Sequence, residues 1–362
     1  DNVPARAILG SLDPDRIGPV LVTTETTEAE LNEALAGATR HAFDLATDIP
    51  IQATLFAISP AEHVLFLLTH HIASDGWSLG PLAEGLATAY NARTQGQQPD
   101  WQPLPLQYAD YALWQRNWLG TADDPESVLS QQLAYWTEAL ADLPEELNLP
   151  TDRPRPANPT HHGGIVHFHL PPDLHHKLTD LAHHTGTTLF MILQTALATL
   201  YTQLGAGTDI PLGTPIAART DHTLHNHIGF FVNTLTLRTN TTNNPTYTQL
   251  LHHTRTTNLT AYDHQDLPFD HLVEHLNPTR TLTRHPLFQT MLVLENAPDT
   301  APLFTALDAT LETVRTSVAR FDLTFILTES HNADRSPNGV RGTIEYATDL
   351  FNRDTVETLA TR

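Results

Sequence analysis

At 362 residues, 40% of them hydrophobic and 17% charged, the chain is long enough to bury a substantial core and its length suits two lobes or domains. Its formal charge of −22 argues against nucleic acid and anionic membrane surfaces as partners. With no cysteine, structural disulfides and a cysteine nucleophile are both excluded, so the sulfur of any thioester involved must belong to a substrate.

The opening residues Asp1-Asn2-Val3-Pro4 carry neither the basic nor the apolar region of a signal peptide, and no window approaches the roughly 20 apolar residues of a membrane span. A cytoplasmic location is the expectation. Residues 1–25 hold short apolar pieces, such as Val20-Leu21-Val22, between Gly and Pro, and read as strands and turns. Thr27 and Glu30 form a capping-box pattern that opens a helix through about Arg40, with Leu31, Leu35 and Ala38 on one face. Strands at Ala53–Ile58 and Val64–Thr69, separated by Pro60-Ala61-Glu62-His63, read as a hairpin.

The second of these strands runs straight into the most chemically loaded stretch of the chain, Thr69-His70-His71-Ile72-Ala73-Ser74-Asp75-Gly76-Trp77. Loops at the end of a buried strand are frequent homes of catalytic groups, and imidazole is the side chain whose ordinary pKa suits proton transfer near neutrality. A His pair by itself means little among 22 histidines, and further pairs stand at His161-His162, His175-His176, His183-His184 and His252-His253. Only His70-His71 joins a preceding apolar strand to a carboxylate and a glycine at fixed offset. His70, His71 and Asp75 could also ligate a metal, but no further ligand cluster at a familiar spacing accompanies them, so no metal is expected.

Beyond this loop, Leu82, Leu86 and Tyr90 at fourfold spacing predict a helix with Ser78 as N-cap and its positive dipole end toward the histidines. An aromatic-rich helix follows at 107–119, and a third, started by Asp124-Pro125, carries Leu129, Leu133, Trp136 and Leu140 on one face. Trp77, Tyr108, Tyr111 and Trp114 read as core. Pro150, Pro154, Pro156 and Pro159 interrupt every pattern, which places the lobe boundary there: a first lobe at 1–150, a Pro-rich linker at 151–164 and a second lobe at 165–362. The second lobe reads as a strand at Ile165–Leu170, a helix opened by Pro171-Pro172-Asp173, and a buried helix at Leu189–Leu204 closed by Gly205. Strands at Ile210–Leu212 and Phe231–Leu237, helices at 246–262 and 267–276, and strands near 288–294, 321–328 and 339–346 complete an α/β alternation with late antiparallel strands.

The His70-His71-x-x-x-Asp75-Gly76 motif resembles the His-His-x-x-x-Asp-Gly signature of nonribosomal peptide synthetase condensation domains, in the chloramphenicol-acetyltransferase-like superfamily. Further stretches match that family in its own order: Tyr108-Ala109-Asp110-Tyr111-Ala112-Leu113-Trp114-Gln115, Leu149-Pro150-Thr151-Asp152-Arg153-Pro154, Gly213-Thr214-Pro215-Ile216-Ala217-Ala218-Arg219, Ile228-Gly229-Phe230-Phe231-Val232-Asn233-Thr234, His264-Gln265-Asp266-Leu267-Pro268-Phe269, Arg284-His285-Pro286-Leu287-Phe288 and Glu345-Tyr346-Ala347-Thr348-Asp349-Leu350-Phe351. The resemblance covers essentially the whole chain. It lacks the family's Arg-His-Glu-x-x-Arg segment before Asp1, which implies a chain beginning inside the first lobe.

What the resemblance implies is an α/β fold of two chloramphenicol-acetyltransferase-like lobes, a V-shaped pseudo-dimer around a central tunnel. It implies peptide-bond formation: the amine of a carrier-bound aminoacyl group attacks the thioester of a carrier-bound donor acyl or peptidyl group. No cofactor would bind directly, since phosphopantetheine arms of upstream and downstream carrier domains deliver both substrates. An adenylation domain is the expected neighbour, and an excised domain would be monomeric. His71 would accept the amine's proton or orient the amine, and both readings stand. Gly76 would offer its N–H to an oxyanion, and His70 would shape the loop. For Asp75 a triad-like carboxylate orienting His71 competes with an ion pair to Arg219 across the lobes, which the resemblance favours. Asn233, Gln265 and Asp266 would line the tunnel or satisfy backbone groups. The rival functions are an epimerisation domain of the same synthetases, an acyltransferase of the wax-ester or plant type, and a non-catalytic docking domain that recruits partner enzymes.

Overall fold

A computed structural model describes residues 21–279, 281, 283–295, 304–314 and 317–362. The strands and turns expected within 1–20 lie outside these residues. Contacts divide the chain into two compact units.

The first unit comprises the described residues up to Asn117, the excursion Arg219–Phe231 and described residues of 298–316. Its three-stranded sheet pairs β1 (Leu21–Glu25) in parallel with β2 (Ile51–Ser59), and β2 in antiparallel register with β3 (Glu62–Thr69). The hairpin is therefore present with longer strands and a tighter turn, Pro60-Ala61, than the sequence suggested. Helix α1 (Glu28–Ala38) starts at the expected Thr27, but the Thr27 hydroxyl donates to the Glu30 carboxylate (2.8 Å) and makes no bond to the helix backbone. Helix α2 (Leu79–Thr94) buries Ala83 and Ala87, while Leu82 and Leu86 are half-buried and Tyr90 is exposed. The fourfold row of large residues lies one position off the inward face, whose small side chains allow a closer backbone approach. Helix α3 (Tyr108–Leu119) buries Tyr111, yet Trp114, expected in the core, is 55% exposed.

The second unit holds a mixed six-stranded sheet in the order β4-β9-β8-β7-β5-β6. Its strands are β4 (Gly163–Leu170), β5 (Asp209–Ile216), β6 (Asn233–Asn240), β7 (Thr290–Glu295), β8 (Leu323–His331) and β9 (Pro337–Ala347). The β5–β7 and β7–β8 pairs are parallel and the others antiparallel. Its helices are α4 (Val128–Ala139), α5 (Pro172–Thr185), α6 (Leu189–Gln203), α7 (Tyr247–Asp263), α8 (Phe269–Leu276) and α9 (Arg353–Thr361), the last not foreseen in the sequence. α6 is apolar on nearly all sides and forms the centre of the core. Tyr201 on it is wholly buried among residues such as Ile210, Leu212, Leu323 and Phe351, and its hydroxyl meets Thr290 Oγ1 at 3.1 Å.

By contacts, the boundary between units in this part of the chain follows Asn117, and residues 151–164 fall within the second unit. Leu129, Leu133, Trp136 and Leu140 of the α4 region pack with Leu235, Leu237, Ala261 and Leu272 of the second unit. The proline-rich stretch is strapped to that same unit by the Asp152 N–H to the Leu350 carbonyl (2.9 Å) and by Arg155 on Asp322 (2.5 Å). No helix among the described residues is long and apolar enough to cross a membrane.

Candidate active site

The histidine loop begins where β3 stops. The His70 N–H donates to the Pro50 carbonyl (3.0 Å), the last bond along the hairpin, and the chain then turns through one 3₁₀ turn at His71–Ala73. His70 caps that turn: its Nδ1 accepts the Ile72 N–H at 3.1 Å, which leaves the proton of its neutral ring on Nε2. His71 has the opposite tautomer. Its Nδ1 lies 2.7 Å from the Ser74 carbonyl, and a carbonyl only accepts, so Nδ1 carries the hydrogen and the Nε2 lone pair is open in the neutral ring. His71 is exposed, and the edge of Phe230 stands against it with ring centroids 5.0 Å apart. Nε2 has no partner among the described residues.

Asp75 is buried at 6% exposure and makes no bond to His71. Oδ1 accepts the Ser78 N–H (2.9 Å), the Ser78 hydroxyl (2.7 Å) and Arg219 Nη2 (3.0 Å), and Oδ2 accepts the Phe231 N–H (3.0 Å). Arg219 is buried as well. Its Nη1 donates to the Leu224 and His227 carbonyls (2.6 and 2.8 Å), and its guanidinium lies 4.1 Å over the Phe231 ring. Ser78 takes the Gly229 N–H at 3.2 Å and a second Arg219 bond at 3.0 Å. The buried charges are thus paired and hydrogen-bonded, as burial requires. Asp75 and Arg219 belong to one compact unit, so the pair fastens the excursion Arg219–Phe231 to the histidine loop inside that unit; the expectation placed it across two lobes.

Gly76 opens the 3₁₀ turn that leads into α2. Its N–H has no acceptor among the described residues, and nothing lies within 4 Å of where a Cβ would be. The residue itself is exposed.

His70, His71, Asp75, Gly76 and Arg219 therefore converge. Asn233 belongs to the second unit, where its side-chain amide donates to the Gln265 and Leu267 carbonyls (2.8 and 2.7 Å) and accepts the Phe269 N–H (3.0 Å), tying β6 to the start of α8. Asp266 accepts from Gln132 (3.0 Å) in that unit. The sequence reading missed three contributors. Ser78 holds the expected N-cap position of α2 but makes no capping bond there; its side chain is the polar hub between Asp75, Arg219 and Gly229, and its Asp-x-x-Ser spacing from Asp75 was the available signal. Phe230 stands against His71, and Phe231, expected to open a strand, lies ahead of β6, which begins at Asn233 because Asp75 holds the Phe231 N–H in the first unit.

The family model described as Condensation domain matches residues 20–362. A dimodular nonribosomal peptide synthase of Bacillus subtilis is 51% identical over 97% of the chain, and a probable non-canonical nonribosomal peptide synthetase of Salinispora arenicola is 50% identical over all of it. The chain spans only 15% and 5% of the lengths of these two relatives. Among solved structures, the X-domain from teicoplanin biosynthesis is similar with a TM-score of 0.88 and 36% identity, covering 94% of this chain and 76% of the other. A four-domain nonribosomal peptide synthetase, 21% identical with a TM-score of 0.81 over 95% of this chain and 26% of that one, shares the fold. The chain belongs to the condensation domain family of nonribosomal peptide synthetases.

Proposed function

We propose that this domain forms an amide bond between two carrier-bound substrates, with His71 as the catalytic imidazole. The observation that carries the reading is the fixed tautomer of an exposed ring: Nδ1–H is committed to the Ser74 carbonyl and Nε2 is presented with its lone pair free. The acceptor amine attacks the donor thioester carbonyl, a C–N bond forms, and the amine's excess proton passes to Nε2 or is held there while the amine is oriented. The C–S bond then breaks and the proton leaves with the phosphopantetheine thiol, so the imidazole returns to its starting state. The Gly76 N–H, without an acceptor among the described residues, is the donor for the oxyanion of the tetrahedral intermediate. Asp75, Arg219 and Ser78 position the loop and touch no substrate. Upstream and downstream carrier domains and an adjacent adenylation domain are the partners this reading requires, and the multidomain length of the relatives supports it.

A second reading is favoured by one comparison. The teicoplanin X-domain, 35% identical, is known in complex with OxyB, so recruitment of a partner enzyme is the alternative role for a domain of this shape. That role gives no use to an open Nε2 or to a free Gly76 N–H. The deciding experiment incubates the domain in its synthetase with two loaded carriers and weighs the carrier-bound products. Transfer of the donor to the acceptor carrier, lowered about 10²–10⁴-fold by His71→Asn, supports condensation. Inverted stereochemistry without transfer would make it an epimerase, and unchanged carriers with complex formation alone would make it a docking domain.

A further inference from the structure

The second unit contains a cluster of side chains that peptide-bond formation leaves unused. His175 lies near the start of α5, and Glu329 and His331 end β8 two residues apart, on either side of a register shift against β9. One ligand atom from each of the three lies within 4.8 Å of the other two. His175 is 1% exposed, and its Nδ1 has no hydrogen-bond partner. The His175 and His331 rings stand 5.6 Å apart at 65°.

An ordinary ion pair accounts for part of this, because His331 Nε2 and Glu329 Oε2 are 3.6 Å apart. It leaves the buried nitrogen of His175 unexplained. A buried polar atom without a partner calls for a water or an ion at that place, and here the ring that carries it stands beside two further groups that ligate metals.

We infer that His175, Glu329 and His331 form a binding site for a divalent transition-metal ion of the zinc class. Two imidazoles and one carboxylate are a familiar zinc donor set, with the fourth position left to water. Ligand atoms about 2.0–2.1 Å from a tetrahedral ion are about 3.4 Å apart, so binding draws the three inward. His331 is exposed and Glu329 half-buried, and both swing at little cost around a fixed His175. The three positions come from a helix and a strand more than 150 residues apart in sequence, so the ion fastens α5 to β8. This site is independent of the role assigned to His71.

The test uses the full chain stripped of metal with a chelator and titrated calorimetrically with zinc chloride, followed by thermal unfolding with and without one equivalent of zinc. The expected result is one saturable site per chain and a raised unfolding midpoint. His331→Asn and Glu329→Gln, at positions where the fold does not depend on packing, each lower the affinity by about tenfold to a hundredfold, at least the loss that follows removal of an orienting partner alone. Both also abolish the thermal shift. His253→Asn, an exposed histidine on α7, leaves both unchanged and controls for the remaining histidines. A parent that titrates like His331→Asn, or that shows only weak multi-site binding, overturns the inference.

Discussion

Replacing Asp75 by alanine is the sharpest physical test of how the histidine loop is held. The substitution removes the acceptor of four hydrogen bonds: two from Ser78, one from the Phe231 N–H and one from Arg219. The Arg219 side chain is 1% exposed, so its charge stays buried with only the Leu224 and His227 carbonyls and the Ser78 hydroxyl as partners. Breaking one side of such a pair costs about 3–5 kcal/mol, most of it the uncompensated charge. At about 2–4 °C per kcal/mol in a domain of this size, the unfolding midpoint falls by about 6–20 °C. The combination Asp75→Leu with Arg219→Met removes both charges and melts closer to the parent than Asp75→Ala does, because no buried guanidinium is left behind. Calorimetry resolves the transition of each unit if they unfold separately, and the loss belongs to the unit that carries the loop. An Asp75→Ala protein that melts within about 1 °C of the parent would refute the ion-pair account.

Further outcomes follow from the same geometry. Gly76→Ala meets no atom within 4 Å, has no positive φ to strain and keeps the backbone N–H, so its midpoint and its product formation both stay near the parent's; a lowered midpoint would mean the glycine is structural. Gly213→Ala on β5 places a methyl 2.1 Å from the Phe288 ring, an overpacking that costs about 1–3 kcal/mol and appears as a lower denaturant midpoint with unchanged m-value. His285 is held below the usual imidazole range by burial, against a smaller opposing effect of its bond to the Pro286 carbonyl. Its unfolded form binds a proton more readily, so its share of stability is present above about pH 6.5 and is lost as the pH falls. The difference in midpoint between the parent and His285→Phe should therefore shrink from pH 7.5 to pH 5.5, and a constant difference would remove His285 from that dependence.

How much of this was readable in advance follows the range of the forces involved. The histidine hairpin, α3, α4 and the apolar α6 were legible because each rests on local periodicity or on a turn residue. The motif itself was legible because a strand, an imidazole, a carboxylate and a glycine follow one another within 13 residues of chain, from Val64 to Gly76. Trp114 was misread since an aromatic at helical spacing announces an apolar face but not whether anything covers it. The inward face of α2 was misread for the same reason: large residues mark a stripe, and only packing decided that Ala83 and Ala87 go inside.

By itself, the sequence determined the order and type of most elements and the chemistry of the loop after β3, because backbone preferences and side-chain reactivity are properties of neighbouring residues. The tertiary structure alone decided that Phe231 leaves the second unit's sheet for the first unit, that Ser78 sits between Asp75 and Arg219, and that His175 meets Glu329 and His331. Each of these depends on groups more than 140 residues apart in the chain. Which distant partner a buried charge or orphaned nitrogen finds is set by how whole elements pack, and no local pattern encodes that choice.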